Sequence, residues 1–282
     1  MHIPALDEGI LVHLTTSRPR SAGLSERTLA LLAGILLIAL FVAPSILAGN
    51  TFGNGDLTRA LGDGFVEYWS AGSNHLPPRL DSAVHYWSRF HVAKAVIAVL
   101  LLAVVTPLGI RLWQTYLRAG KGRRLVPLVS GVSITAIALF AGLVLMANIQ
   151  GALAPFSSLL SLLPMNDAAG DLASTLVDVR RQLAAGDITP VIDMMTTDFG
   201  WYHAVMAVIA VVATVVLLGT SALLWRRRVR TDSADRRART VLGVFCALSV
   251  LLMLLTGVTA LANAGTAADP GPALVGFFDG GF

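Results

Sequence analysis

Five apolar stretches of about 20 residues or more limit what this chain can fold into. They cover residues 28–47, 91–112, 126–148, 202–225 and 241–263. A helix of about 20 apolar residues crosses roughly 30 Å of hydrocarbon, and no other segment approaches that length. With 55 % hydrophobic and only 13 % charged residues, the composition is not that of a soluble globular domain. The sequence predicts an all-α integral membrane protein, a bundle of five transmembrane helices.

Charge then orients the bundle. Within the stretches, Lys94 is the sole charged side chain away from an end; Arg111 stands next to the last residue of its stretch. Residues 111–125 carry five Lys/Arg and no acid, and 226–240 carry seven Arg against Asp232 and Asp235. Residues 51–90 and 149–201 together carry five Arg against ten acids. Basic loops stay in the cytoplasm, so the N-terminus is expected inside and the C-terminus outside. The net charge of +4 then reads as topology rather than as a nucleic-acid footprint. The first stretch is expected to be retained: it exceeds a signal-peptide core, and Ile46-Leu47-Ala48 lacks the small residue that cleavage needs. An Ala- and Arg-rich chain of this kind points to a bacterial cell membrane. The single cysteine, Cys246, excludes a disulfide framework or a thiolate metal site made by this chain alone.

The chain also repeats itself. At an offset of 112, Pro78, Asp81, Phe90, His91 and Trp113 fall on Pro190, Asp193, Tyr202, His203 and Trp225. Ala95-Val96-Ile97-Ala98-Val99 falls on an identical run beginning at Ala207. Upstream, Gly55-Asp56-Leu57 matches Gly170-Asp171-Leu172, and the three outgoing stretches end at or are soon followed by an asparagine, Asn50, Asn148 and Asn263. The expected plan is a cytoplasmic segment 1–27, repeat A over 28–125, repeat B over 126–240, and a fifth span with an outer tail over 241–282. Both copies face the same way, which makes a parallel repeat with its pseudo-axis along the membrane normal. The ingoing helices are expected to start near Pro78 and Pro190 and to project outside the bilayer. Residues 170–184 place Leu172, Leu176, Val179 and Leu183 on one face, as an interfacial or capping helix does.

His91 and His203 share one register on two repeated helices. Such a pair can converge across the pseudo-axis, as a bis-histidine haem requires, or hold a two-histidine 2Fe–2S cluster whose thiolates come from a partner. The alternative is that both are interface residues like the aromatic side chains beside them. Lys94, one turn after His91, is either a partner for a quinone carbonyl or a carboxylate, or a snorkelling lysine. Asp81 and Asp193 read as helix caps, and His2, His13, His75 and His85 as solvent-exposed. The basic loops fit anionic lipid head groups or an acidic face of a cytoplasmic subunit. No nucleotide, zinc-protease or CxxC motif is present.

The chain resembles a cytochrome b-like membrane-anchor subunit of actinobacterial succinate dehydrogenase. The resemblance rests on size, five spans with an internal N-terminus, the paired helix histidines, and the runs from Arg27 to Gly34 and from Met146 to Ala152. It implies cytoplasmic flavoprotein and iron–sulfur subunits seated on the basic loops, in a hetero-oligomer that passes electrons to menaquinone. It also implies His91 and His203 as ligands of haem b or of the cluster, and Lys94, if it is not snorkelling, is the remaining candidate for contact with the cofactor or quinone. The chain departs from the dihaem pattern, which uses four helix histidines. The alternative function is a non-enzymatic membrane scaffold or transport-complex subunit.

Overall fold

Each long helix begins where the sequence satisfies, or removes, one of the unpaired N–H groups of its first turn. The computed structural model describes residues 24–280 apart from Asn50 and Asn54. In chain order it contains α1 (Glu26–Leu47), α2 (Asp56–Ala71), α3 (Pro78–Arg118), α4 (Leu125–Leu153), α5 (Pro155–Leu160), α6 (Gly170–Ala185), α7 (Pro190–Arg230), α8 (Arg236–Ala268) and α9 (Pro270–Phe278). Among the described residues there is no strand, and α1, α3, α4, α7 and α8 are long and apolar enough to cross a membrane. Ser25, Thr189 and Asp235 accept N-cap hydrogen bonds at α1, α7 and α8. Pro78 and Pro190 open α3 and α7, where a proline's missing N–H is not needed. Asp81 and Asp193, expected as caps, lie in those first turns and cap neither helix; the N-caps are Pro77 and Thr189. Asp81 sits instead 3.6 Å from Nε2 of the exposed His85. His75 is also exposed; His2 and His13 lie outside the described residues.

α3 and α7 each have 41 residues, about 60 Å of helix and twice what the hydrocarbon requires. Their first turns precede the apolar stretches, and the short helices pack around them there. Leu61, Phe65 and Tyr68 of α2, Leu80 of α3, Leu159 of α5, Leu176 and Val179 of α6, Met195 of α7, and Leu274 and Phe278 of α9 are all sealed in one cluster. Each such side chain contributes about 1.5–3 kcal/mol of burial, so this cap has a core of its own. Gly72 and Gly186 end α2 and α6 in the left-handed conformation, at φ 61° and 74°, where a side chain is disfavoured. The expected helix at 170–184 is α6, and it faces this core.

Inside the apolar stretches the packing is different. α3 lies against α1 and α4, and α7 lies against α8, whereas α4 and α7 meet along a thinner seam. One face of α8 packs on α7, and Leu251, Leu254, Leu255, Val258 and Leu261 are exposed along the rest of it. The remaining apolar surface of α8 is available to lipid. At the cap end the seam is closed by Gln150 donating to the Tyr202 carbonyl at 3.1 Å and by Trp201 donating to that of Leu153 at 3.0 Å. At the opposite end Arg237 donates to the carbonyls of Leu117 and Ala119 at 3.0 and 2.9 Å. It thereby satisfies the free C-terminal acceptors of α3.

Candidate functional site

His91 and His203 stand where α3 and α7 leave the cap and enter their apolar stretches. Each is held by an asparagine from the helix that follows. His91 Nδ1 lies 2.8 Å from Asn148 Oδ1, and His203 Nδ1 lies 2.8 Å from Asn263 Oδ1. The amide orientation is set in both cases by the other end of the side chain. Asn148 Nδ2 donates to the Val144 carbonyl and Asn263 Nδ2 to that of Thr259, one turn back. A carbonyl can only accept, so each Oδ1 must face the imidazole. Each Nδ1 therefore carries the proton, and in the neutral ring each Nε2 presents a lone pair.

The surroundings of the two Nε2 atoms differ. The His91 ring packs edge-on to Trp87, with centroids 4.6 Å apart. Its outer edge rests on Gly151, where an added Cβ would come within 2.7 Å of Cδ2, Nε2 and Cε1. Nε2 is buried there without a hydrogen bond. His203 packs on Phe199 at 4.7 Å and borders a cavity of about 400 Å³ with Gln150, Ser157, Tyr202, Met206 and Asn263. That volume falls in the range of small-molecule sites. Lys94 does not line this cavity; its ammonium lies 5.3 Å from the Phe90 ring centroid.

The cavity wall is braced from the cap. Asp198 accepts from the backbone N–H of Ser157 at 2.9 Å and from its hydroxyl at 2.5 Å, which pins α5 to α7. The same carboxylate, after burial itself, pushes the Tyr68 hydroxyl up to about 12. Farther out, Trp69 Nε1 donates to Asp178 at 2.9 Å. With Arg181 and Gln182, that bond holds the Asp178 carboxyl below its ordinary range.

Two of the expected groups can be tested against this packing. A haem bridging His91 and His203 needs both Nε2 atoms open, and that of His91 faces Gly151 at contact distance. Such a haem does not fit the rings as they are packed. Cys246 lies 17 residues before Asn263 on α8, about 25 Å along the helix axis, so a cluster at His203 would take its thiolates from elsewhere. Among the described residues no three His, Cys, Asp or Glu side chains gather as a metal site.

The sequence placed Asn148 and Asn263 at matching span ends without giving them a role, and Gln150 and Gly151 were given none. The signal for the asparagines was present: both end their apolar stretches at matching places, 57 and 60 residues after the histidines they bind. Compared with protein families, curated proteins and solved structures, the chain matches none.

Proposed function

We propose that this protein is a membrane subunit of a respiratory complex, the anchor of a succinate:quinone oxidoreductase, with its quinone site in the cavity beside His203. The observation that carries the reading is one histidine, held by an asparagine, whose free ring nitrogen borders a cavity where α7 passes from cap to apolar stretch. In this reading the basic loops face the cytoplasm of a bacterial cell and seat the flavoprotein and iron–sulfur subunits, and the cap and C-terminus lie outside. The two halves are a parallel repeat. Support comes from the equal lengths of α3 and α7, their proline starts, and the matching histidine–asparagine bonds. Haem between the two histidines is not part of the proposal, and Lys94 serves as an interfacial cation on Phe90.

The test is purification from the native membrane with bound partners. The reading expects a flavin-containing complex that reduces a menaquinone analogue with succinate, and a His203→Ala variant at least tenfold slower. A complex without flavin or iron would refute it. One observation favours the scaffold alternative: the sealed Nε2 of His91 shows that the same histidine–asparagine bond can be purely structural. A scaffold binds partners and catalyses nothing, and its His203→Ala form retains them.

A further inference from the structure

The polar groups around the His203 cavity are already engaged in a way that selects what can bind there. Asn263 Nδ2 donates to the Thr259 carbonyl, which leaves Oδ1 to accept the Nδ1 proton of His203. Nε2 therefore offers a lone pair and, among the described residues, makes no hydrogen bond. The neighbouring hydroxyls are committed as donors: Ser157 to Asp198, Ser161 to the Ser158 carbonyl, and Thr259 to that of Leu255. Gln150 donates one amide hydrogen to the Tyr202 carbonyl, and its own carbonyl oxygen has no partner among the described residues. Among the described residues, the uncommitted polar groups on this edge include two acceptors, His203 Nε2 and the Gln150 carbonyl oxygen, and two donors, the second Gln150 amide hydrogen and the Tyr202 phenol; at Nε2 itself the site offers only a lone pair. Phe199, Met206 and Phe277 supply the apolar wall.

We infer that this cavity takes a neutral, lipid-soluble molecule that presents a hydroxyl hydrogen to His203 Nε2, in preference to one that presents only a carbonyl or an ether oxygen. An acceptor ligand would set its lone pair against that of Nε2, or would force the ring into the other tautomer and break the bond to Asn263. A hydroxyl ligand completes the chain from ligand to imidazole to asparagine to the Thr259 carbonyl with every donor matched. A carboxylate ligand is disfavoured, since it brings a second charge beside Asp198 and carries no hydrogen. For a redox-active ring the inference is that the site holds the hydroxyl-bearing reduced form more tightly than the oxidised one.

The inference deepens the site assigned above but depends on no partner subunit, so its test uses the full chain alone in phosphatidylcholine nanodiscs. The probes are 1-naphthol and 1-methoxynaphthalene, which share an apolar body and differ in the hydroxyl hydrogen. With ¹⁵N-labelled histidine, His203 is expected to show a protonated Nδ1 and an unprotonated Nε2. 1-Naphthol should shift the Nε2 resonance of His203 and leave that of His91 in place. It should bind about tenfold more tightly than the ether, which is the worth of one neutral hydrogen bond. His203→Phe and Asn263→Leu should each remove the preference, the first by deleting the acceptor and the second by releasing the tautomer. Equal binding of the two probes, binding of neither, or an Nε2-protonated His203 in the free protein would overturn the inference. A hydroxyl preference in a chain that purifies without flavoprotein partners would keep the site and remove the anchor reading. Succinate-driven quinone reduction with no such preference would do the reverse.

Discussion

His91 and His203 make the same 2.8 Å hydrogen bond to an asparagine on the next helix, yet their far nitrogens meet different surroundings. Behind His91 the chain places Gly151, three residues after Asn148, and the ring rests directly on the α4 backbone. Three residues after Asn263 stands Thr266, whose hydroxyl donates within α8 to the Ala262 carbonyl, and the space beside the ring is a cavity. One turn beyond each histidine the two helices diverge again, with Lys94 in α3 and Met206 in α7. The comparison separates two roles that sequence similarity merges. The asparagine bond orients the ring in both halves, and what stands at Nε2 decides whether the ring can meet a ligand.

Substitutions at these positions should pull the halves apart. Gly151→Ala places a methyl within 2.7 Å of three atoms of the His91 ring. Either the ring or α4 must shift, at about 3 kcal/mol. Gly265→Ala, with no atom within 4 Å of the new Cβ, should change stability by under about 0.5 kcal/mol. Denaturant unfolding in detergent micelles would measure both, and equal effects would erase the distinction.

Alkaline pH probes the cap that joins the halves through Tyr68, whose hydroxyl reaches the Val191 carbonyl at 3.5 Å. Burial raises this phenol to about 12 from an ordinary 10.0, so the folded state holds its proton more tightly than the unfolded state does. The stabilisation is complete below pH 10 and is lost as pH rises toward 12. It amounts to about 2–3 kcal/mol. Tyr68→Phe should flatten that part of the pH–stability curve.

Asn148→Leu should cost about 2 kcal/mol, because it leaves the His91 Nδ1–H unpaired in a closed site. Asn263→Leu should cost under about 1 kcal/mol, since water in the cavity can replace the lost acceptor. Arg181→Ala, which removes the exposed partner of Asp178, should cost under about 0.5 kcal/mol. A loss as large as that from Asn148→Leu would mean that the cap depends on surface charge rather than on its core.

The five membrane-length helices were legible because an apolar run of that length leaves the backbone one common solution. The starts at Pro78 and Pro190 were legible for a local reason, the absent N–H. The helix at 170–184 followed from the spacing of Leu176, Val179 and Leu183. Closure of the cap was not legible, since it depends on Phe278, near the end of the chain, reaching Phe65, with ring centroids 6.1 Å apart. No local pattern encodes a contact so distant in sequence. The histidines were found by register, but the partners that orient their rings were not. Register placed both rings at matching depth, and each is oriented through Nδ1 by an asparagine of the following helix. A glycine beside one ring and a cavity beside the other are properties of packing, and matching positions along the sequence carry no information about them.

The most direct test of this asymmetry is acylation of the folded protein in nanodiscs by diethyl pyrocarbonate, with sites and rates read by peptide mass spectrometry. The exposed His75 and His85 serve as internal standards. The account predicts that His203 is modified and that 1-naphthol slows its reaction, while His91 stays unmodified until the protein unfolds. Modification of His91 at a rate matching His203 in the folded state would contradict it.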